Sequence, residues 1–269
     1  MPRYELIDDP DDPRVLPYRA LRDRDLRGHQ GAFVLEGEVV LRVLLGSGRF
    51  RLRSLLLADR RRDKLQDALE RLGDDVPVYL APQGVLDGIV GFAIHRGVLA
   101  LGERGAQEPL PSLLGRAPTR SLVVALAGVV NHDNVGGIFR NAAAFGAWAV
   151  AMDHVTCDPL YRKAIRVSVG GALTVPFARA SSEAELISEL MCAGYTVFAL
   201  TPRGEIDLGR LPALPDRIAL LLGAEGTGLE EESLASCRTL RVPMAPGWDS
   251  LNVAVTCGIA LFALRARGS

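Results

Sequence analysis

Four short apolar runs in the second half of the chain constrain its fold more than any other feature. They are residues 122–127, 147–152, 196–200 and 218–222, and each is followed by a helix-like or glycine-rich stretch. The runs are continuous rather than alternating, which is typical of parallel strands buried on both faces. We therefore expect an α/β domain with a parallel sheet flanked by helices. In such sheets ligands bind beyond the carboxyl ends of the strands, where the loops meet.

The first half of the chain has a different pattern. Residues 33–35, 54–58 and 76–80 are predicted strands, and residues 37–45 and 64–72 are predicted helices. This half is therefore expected to form a small α/β unit. A stretch rich in Pro, Gly and charge then indicates a linker. The expected organisation is an N-terminal extension (1–28), a first domain (29–105), a linker (106–120) and a second domain (121–269).

Composition argues against membrane proteins, disulfide-rich proteins and metalloproteins. The longest apolar stretch, residues 253–264, is too short for a membrane span, which needs about 20 residues. The first residues carry Asp8, Asp9, Asp11 and Asp12 where a secretory signal would need an apolar core. The expectation is a cytoplasmic protein. The four cysteines and four histidines form no C-x-x-C or H-x-x-x-H cluster, so we expect free buried thiols and no metal site.

Arginines are concentrated in one part of the first half. The net charge of −1 argues against a protein that coats nucleic acid non-specifically. Between residues 49 and 62, however, six arginines and one acid give a local charge of +5. The six are Arg49, Arg51, Arg53, Arg60, Arg61 and Arg62. A solvated face and a phosphate-contacting patch both fit this run, since guanidinium groups match phosphate oxygens.

The first unusual loop of the second half, residues 130–146, follows the predicted strand at 122–127. Asn134, Gly136 and Gly137 are expected to open a helix on which Arg140 lies one turn in. Bare glycines at a helix start let a phosphate approach the backbone N–H groups, and Arg140 can add a charge-assisted contact. By itself, the segment fits equally a glycine-rich turn whose arginine faces solvent.

The second loop, residues 220–229, leads from a strand into Gly223, Gly226 and Gly228, with Glu225 at the turn. The spacing G-x-x-G-x-G is not the dinucleotide fingerprint, and no Lys-Ser/Thr pair follows as a phosphate-binding loop requires. Such a loop suits close wrapping of the backbone around a flat, uncharged ring. An exposed Glu that caps a helix start is the alternative.

The third loop, residues 242–254, is an apolar bend that leads to Ser250 and Asn252 at the entrance of the last helix. Asp249 or Ser250 is expected to cap this helix, and capping alone would explain the polar residues here.

In this order, the segments N-x-G-G-I-F-R…A-F-G, L-G-A-E-G-x-G-L and V-P-M…S-L-N-V-A-V resemble the three motifs of the SpoU (TrmH) family of RNA ribose methyltransferases. The resemblance runs from about residue 122 to residue 264. It implies a SPOUT-type α/β domain with a C-terminal trefoil knot, a homodimer, and S-adenosylmethionine as the cofactor. The first half loosely resembles the L30-like RNA-binding domain that several members carry.

The resemblance also implies roles for individual residues. The implied cofactor contacts are Gly223, Val242, Met244, Leu251 and Leu200, with Met244 beside the adenine. The implied catalytic residues are Arg140, Asn134, Glu225, Ser250 and Asn252. Arg140 would bind the phosphate beside the target ribose, and the other four would orient Arg140 and the ribose by hydrogen bonds. The implied RNA contacts of the first half are Arg49, Arg51, Arg53, Arg60 and Arg61.

The implied reaction is methyl transfer to a ribose 2′-hydroxyl, which needs two aligned reactants and loss of a weakly acidic proton, without a metal. The added first domain favours ribosomal RNA of the large subunit over transfer RNA. A transfer RNA methyltransferase and a non-catalytic RNA-binding or ribosome-assembly protein on the same fold stay open. A serine hydrolase is disfavoured because the chain lacks the G-x-S-x-G motif.

Overall fold

Strands and helices alternate along most of the chain, which a computed structural model describes over residues 3–19, 31–211, 213–248 and 250–266. In chain order the first elements are β1 (Arg3–Leu6), β2 (Ala32–Glu36), α1 (Glu38–Ser47), β3 (Leu52–Ala58), α2 (Gln66–Leu69), β4 (Pro77–Ala81), α3 (Gln83–Val90) and β5 (Val98–Glu103).

The remaining elements are α4 (Leu110–Gly115), β6 (Ser121–Leu126), α5 (His132–Phe145), β7 (Ala149–Met152), α6 (Arg162–Val167), α7 (Gly171–Thr174), β8 (Phe177–Arg179), α8 (Glu183–Cys192), β9 (Thr196–Leu200), β10 (Ile206–Asp207), β11 (Arg217–Leu222), α9 (Glu231–Ser236), β12 (Arg238–Arg241) and α10 (Val253–Ala266). The chain divides into two units. The first contains Met1–Ala106 and Leu160–Thr174, and the second contains Gln107–Pro159 and Val175–Ser269.

The first unit has a five-stranded sheet in the order β1-β4-β3-β5-β2. Strands β1, β4 and β3 are parallel, and β5 is antiparallel to β3 and β2. Inside the unit, the buried hydroxyls of Tyr18 and Ser54 are joined by a hydrogen bond of 2.7 Å. The predicted strands and the first predicted helix are confirmed within a few residues.

Two predictions for the first unit differ from the structure. Residues 1–28 are not a plain extension, because Arg3–Leu6 forms the edge strand β1, which is too short and too polar to give an apolar run. The helix expected over residues 64–72 is reduced to α2 and a preceding 3-10 turn at Asp63–Leu65. Leu65, Leu69 and Leu72 are nevertheless buried, as their spacing indicates.

Residues 160–174 belong to the first unit although they lie in the middle of the expected second domain. Arg162 of α6 forms an ion pair of 2.8 Å with Glu36, at the end of β2, and lies over the ring of Phe92. Next to α7, the Gly170 backbone packs so closely on Val43 that an added Cβ would lie 2.8 Å from Val43 Cγ1. The expected single boundary at residue 121 is therefore incomplete, because residues 160–174 return to the first unit through contacts with residues far away in the sequence.

The second unit has a seven-stranded sheet in the order β10-β12-β9-β11-β6-β7-β8. The pairings along this order are all parallel. The expected α/β fold with a parallel sheet is thus confirmed. Leu222 of β11 is in register with Leu126 of β6, and Leu221 with Ala199 of β9. The carboxyl ends of these three neighbouring strands consequently lie at one level.

Helices cover this sheet. On one face, Val123, Ala149 and Ala219 of the strands share a buried cluster with leucines of α4 and α8. Alternate strand residues such as Val124 and Leu220 point to the other face and are fully buried as well. Burial of both faces explains why the strand sequences are continuously apolar.

The expected linker, residues 106–120, contains helix α4. Leu110, Leu113 and Leu114 of this helix are buried in the core of the second unit. Pro111 lies in its first turn, where a missing backbone N–H leaves no hydrogen bond unmade. The proline-rich composition thus marks a helix start as well as a connection.

Helices α5 and α10 pack closely along one line of contacts. A Cβ added to Gly137 would lie 2.8 Å from the Cβ of Ala254, and Asn141 Nδ2 donates a hydrogen bond of 2.7 Å to the Ala254 carbonyl. One turn further, the rings of Phe145 and Phe262 meet edge to face with centroids 6.2 Å apart. A Cβ on Gly258 would likewise lie 3.1 Å from Asn141 Nδ2, so the pairs Gly137–Ala254, Asn141–Gly258 and Phe145–Phe262 each advance both helices by four residues, and the two helices run in the same direction.

Helix α5 begins earlier than the sequence indicates. It starts at His132, and Asn131 caps it by accepting a hydrogen bond of 2.8 Å from the Asp133 N–H. Gly136 and Gly137 therefore lie inside the helix, and the expected phosphate site on their free N–H groups is wrong. The glycine at 137 serves the close approach of α10 instead.

Within the part of the chain that the structure describes, no helix has the length and apolar character needed to cross a bilayer. The trefoil knot stays a prediction, because strand order alone does not say how the chain threads.

We expect Gly137→Ala to destabilise the second unit. The added methyl group meets Ala254 at 2.8 Å, and both Cβ atoms are fixed to helix backbones. Overpacking of this kind costs about 1–3 kcal/mol, which exceeds the gain from replacing a helical glycine. Thermal unfolding should show a melting temperature lowered by about 2–4 °C for each kcal/mol.

The matched control is Gly115→Ala at the end of α4, where an added Cβ has open space around it. This variant should be as stable as the wild type or more stable by up to about 1 kcal/mol, because the methyl group meets no neighbour and alanine favours the helix. A Gly137→Ala protein with an unchanged melting temperature would contradict the close helix contact.

Candidate functional site

A cavity of about 860 Å³ lies in the second unit, where the loops after β9, β11 and β12 meet the start of α10. This volume is in the range of small-molecule sites. The residues that line it include all five expected cofactor contacts, Leu200, Gly223, Val242, Met244 and Leu251. They also include Glu225, Ser250 and Asn252 from the expected catalytic group. Parallel strands with neighbouring carboxyl ends bring these sequence-distant residues together.

The glycine spacing of the second loop is explained by how the loop folds back on itself. A Cβ on Gly223 would lie 2.7 Å from the carbonyl carbon of Gly228, so only glycine fits there. The Gly228 N–H donates a hydrogen bond of 3.1 Å to the Ala224 carbonyl, and Gly226 and Gly228 have φ values of 92° and 72°. The result is a tight wall of backbone beside the cavity, as expected for a flat ring packed on bare peptide groups.

Asn252 connects the three loops. Its Nδ2 donates hydrogen bonds of 2.8 Å to Asn134 Oδ1 and 3.1 Å to Glu225 Oε1. Its Oδ1 accepts from the N–H groups of Ala254 and Val255 at 3.0 and 3.2 Å. Asn252 is therefore the residue that caps α10. It occupies the position directly before Val253, two residues after the expected cap at Ser250, and Asp249 lies outside the described residues.

Asn134 is the buried member of this set, with a relative exposure of 4%. A buried amide oxygen needs a donor, and the Asn252 side chain supplies one. Three of the five expected catalytic residues thus form one hydrogen-bonded group, while Ser250 lies beside them on the cavity wall.

Arg140 stands apart from this group. It is exposed on α5, more than two turns after the helix start, and does not line the cavity. Its side chain makes no hydrogen bond or ion pair with any residue that the structure describes. The guanidinium group is therefore available to a ligand that comes from outside the second unit's cavity.

Sequence reasoning missed the turn after β9. Thr201, Pro202 and Arg203 line the cavity directly after Leu200. The rule that ligands lie beyond strand ends would have found them, since β9 was predicted with the correct last residue. Pro202 and Gly204 signal a turn there, but the segment matches none of the three motifs on which the prediction was based.

The arginine run of the first unit does not form one patch. Arg49, Arg51 and Arg53 lie at the amino end of β3, and Arg60 and Arg61 follow its carboxyl end. Arg53 is the second residue of β3, so the rest of the strand, about 17 Å at about 3.3 Å per residue, separates it from the strand's carboxyl end. The expected local charge of +5 is thus divided between two places.

The two groups of arginines also differ in their partners. Arg51 forms an exposed ion pair of 2.7 Å with Asp75, which raises the pKa of Arg51. Arg60 instead donates to the neutral side chain of Gln83 at 2.9 Å. Arg51 is therefore paired with a carboxylate, whereas the hydrogen-bond partner of Arg60 is neutral.

The four cysteines are free thiols, as expected. Cys257 is fully buried and Cys157 is half-buried, whereas Cys192 is exposed at the end of α8, against the expectation of burial. Burial raises the pKa of the Cys157 thiol to about 12, so this group stays protonated. Among the described residues, no group of three His, Cys, Asp or Glu side chains could hold a metal ion.

The Asn252 network predicts a pH-dependent effect of substitution. Asn252→Ala removes the helix cap and leaves Asn134 Oδ1 buried without a donor, so we expect a loss of about 1–3 kcal/mol of unfolding free energy. Asn252→Asp keeps the cap acceptor but places a second carboxylate beside Glu225. The two carboxylates repel each other, which raises their folded-state pKa values.

The unfolding free energies of the two variants and of wild type are compared by denaturant unfolding between about pH 7 and pH 4.5. In this interval carboxyl groups with raised pKa values take up a proton. A raised folded-state pKa means that the deficit of Asn252→Asp is largest at high pH and shrinks as the carboxyls take up a proton. The deficit of Asn252→Ala should change less with pH, because this variant loses the hydrogen bond to Glu225 but brings no second carboxylate. Equal pH dependence of both variants would refute the Asn252–Glu225 contact.

Comparison with known proteins supplies the family. Residues 121–262 match the SpoU rRNA Methylase family, which is more than half of the chain. An uncharacterised tRNA/rRNA methyltransferase of Mycobacterium tuberculosis is 39% identical over 94% of this chain and 89% of its own length. A 23S rRNA (guanosine-2′-O-)-methyltransferase of Salmonella typhi is 31% identical over 93% of this chain and 95% of its own length.

A solved structure is similar over the whole chain. It is the AdoMet-bound rRNA methyltransferase of Sinorhizobium meliloti, with a TM-score of 0.83, 26% identity and 98% coverage of both chains. The match of the family to the segment that carries the three loops confirms the resemblance drawn from their motifs. The chain belongs to the SpoU rRNA methylase family.

Proposed function

We propose that this protein transfers a methyl group from S-adenosylmethionine to a ribose 2′-hydroxyl in RNA, with 23S ribosomal RNA as the substrate. The observation that carries the proposal is the Asn252 network, which joins residues of all three family motifs at the wall of one cavity. The Salmonella relative named for guanosine 2′-O-methylation of 23S rRNA matches both halves of the chain and supports the choice of substrate.

The cavity fits S-adenosylmethionine. Its apolar lining by Leu200, Val242, Met244 and Leu251, beside the backbone wall at Gly223, suits the flat adenine ring. S-adenosylmethionine bound there supplies an electrophilic methyl group on a positively charged sulfur. The Sinorhizobium structure of the same fold, which contains AdoMet, supports this assignment.

The residues of the site divide into two functions. Ser250, Glu225 and Asn252 line the cavity, where they can hold the ribose by hydrogen bonds, and the buried Asn134 orients Asn252. Arg140, with no partner among the described residues, is suited to bind the phosphate beside the target ribose. The planar set of N–H donors on Arg140 matches phosphate oxygens, so we assign Arg140 to positioning the substrate.

Three further assignments are proposals: a homodimer, a cytoplasmic location and the absence of a metal. The resemblance implies a homodimer, and helix α10 supports it by exposing Val255, Ile259 and Phe262 along one face. An apolar stripe at this spacing is typical of a helix that packs against another protein surface. A second copy of this chain is the occupant we propose. A cytoplasmic location and the absence of a metal stay predictions from the sequence.

We expect Arg140→Ala to abolish methyl transfer while cofactor binding survives. Loss of the phosphate contact should lower kcat/KM by about a hundredfold or more, because a misplaced ribose loses the alignment that the reaction needs. Transfer of labelled methyl groups is measured on ribosomal RNA from a strain that lacks the protein. Calorimetry with S-adenosylhomocysteine should give an affinity within about twofold of wild type, since a ligand in the cavity would not depend on Arg140.

Arg210→Ala is the control for charge, because Arg210 is exposed in the same unit and lies outside the cavity lining. It should change neither quantity. The proposal fails if calorimetry detects neither S-adenosylmethionine nor S-adenosylhomocysteine. Binding of ribosomal RNA without any methyl transfer would favour a non-catalytic ribosome-assembly protein, and methylation of transfer RNA alone would favour the tRNA alternative.

RNA contacts of the first unit are tested by salt dependence. We expect Arg60→Ala to reduce the slope of log K against log salt concentration by about 0.7–0.9, the value for one lost phosphate contact. Arg51→Ala should change the slope by less than half of this value, because the Arg51 guanidinium is already paired with the Asp75 carboxylate. Binding of the same ribosomal RNA is measured at several salt concentrations. Equal slopes for both variants would argue against RNA binding by Arg60 and Arg61, the arginines that follow the carboxyl end of β3.

A further inference from the structure

The turn after β9 places a basic side chain at the cavity. Residues 201–204 form this turn, in which the Gly204 N–H donates a hydrogen bond of 3.0 Å to the Thr201 carbonyl. Arg203 lies in the turn, lines the cavity and is exposed. It makes no hydrogen bond or ion pair with any residue in the described part of the chain.

This turn is held firmly on strand β12. The Thr201 N–H bonds to the Leu240 carbonyl at 2.9 Å, and Arg241 Nη1 donates to the Gly204 carbonyl at 2.9 Å. A Cβ on Gly204 would lie 2.2 Å from the carbonyl carbon of Leu240, so the turn packs directly on the strand backbone. Arg203 therefore projects from a fixed base rather than from a loose loop.

The charges around the cavity are few and opposite. Among the described residues that line it, Arg203 and Glu225 are the charged ones. Glu225 follows β11 and accepts a hydrogen bond from Asn252. Arg203 follows β9, the neighbouring strand. Arg203 is thus the positive group of the cavity, and it has no protein partner among the described residues.

S-adenosylmethionine carries three charged groups, namely a sulfonium, an ammonium and a carboxylate. A guanidinium group repels the two cations and attracts the carboxylate, whose two oxygens match its paired N–H donors. We propose that Arg203 binds the α-carboxylate of the methionine portion and makes the site selective for ligands that keep it. This inference rests on the proposed function.

Decarboxylated S-adenosylmethionine tests the proposal directly, because it retains the adenosine, the sulfonium and the amine and lacks only the carboxylate. Wild-type protein should bind S-adenosylmethionine about ten- to hundredfold more tightly than the decarboxylated compound, the range of a charge-assisted hydrogen bond. Arg203→Ala should lower the affinity for S-adenosylmethionine by that factor and leave the affinity for the decarboxylated compound unchanged. Arg203→Lys should restore part of the difference, since it keeps the charge without the paired donors.

Arg210→Ala again serves as the control and should discriminate between the two compounds as wild type does. Steady-state kinetics of Arg203→Ala should show a raised KM for S-adenosylmethionine with kcat little changed, as expected for a contact that is equal in ground and transition states. If Arg203→Ala merely disrupted the site, the affinities for both compounds would fall by the same factor. This result would overturn the proposal.

Two other outcomes are also decisive. Unchanged affinity of Arg203→Ala for both compounds, with a raised KM for ribosomal RNA, would mean that Arg203 contacts an RNA phosphate, and the proposal would be wrong. If wild-type protein binds neither compound, the proposed function itself fails. The wild-type measurement therefore separates the failure of the function from the failure of the Arg203 assignment.

Discussion

The close packing of α5 on α10 is the constraint on which the rest of the site depends. Gly137 lets Ala254 approach to a distance that no larger residue permits, and Asn141 bonds to the Ala254 carbonyl across the same contact. This packing brings Asn134 near the start of α5 within 2.8 Å of Asn252, which caps α10. A wider separation of the helices would break the buried hydrogen bond of Asn134 and loosen the entrance of α10.

The parallel sheet provides the second constraint. Strands β12, β9, β11 and β6 are neighbours, and their carboxyl ends open toward the loops that line the cavity. Each loop contributes a different kind of group to the cavity lining. The loop after β11 supplies tightly folded backbone, the loop after β12 supplies apolar side chains, and the turn after β9 supplies Arg203. A methyl donor with a flat apolar ring at one end and charged groups at the other matches this division.

The arginines that we propose to bind RNA lie outside the lining of the cavity proposed for the cofactor. Arg140 lies outside the cavity lining, and the arginines of the first unit form two groups at opposite ends of β3. Phosphate contacts from several such places position an RNA without specifying its sequence. The nucleotide that is methylated is therefore expected to depend on the shape of the RNA and on contacts close to Ser250.

The sequence by itself determined the type of sheet, the order of the three motifs and most cavity residues, because continuous apolar strands require burial on both faces and motifs at strand ends must converge. Only the tertiary structure decided that Gly137 serves a helix contact, that Asn252 rather than Ser250 caps α10, and that residues 160–174 pack with the first unit. The Asn252 cap is local, and Asn252 is one of several polar residues near the helix start, whereas the Gly137 contact and the packing of residues 160–174 depend on residues more than 100 positions apart, such as Gly137 with Ala254 and Arg162 with Glu36. Local patterns carry no information about such contacts, and a glycine looks the same whether it frees an N–H group or makes room for a neighbouring helix.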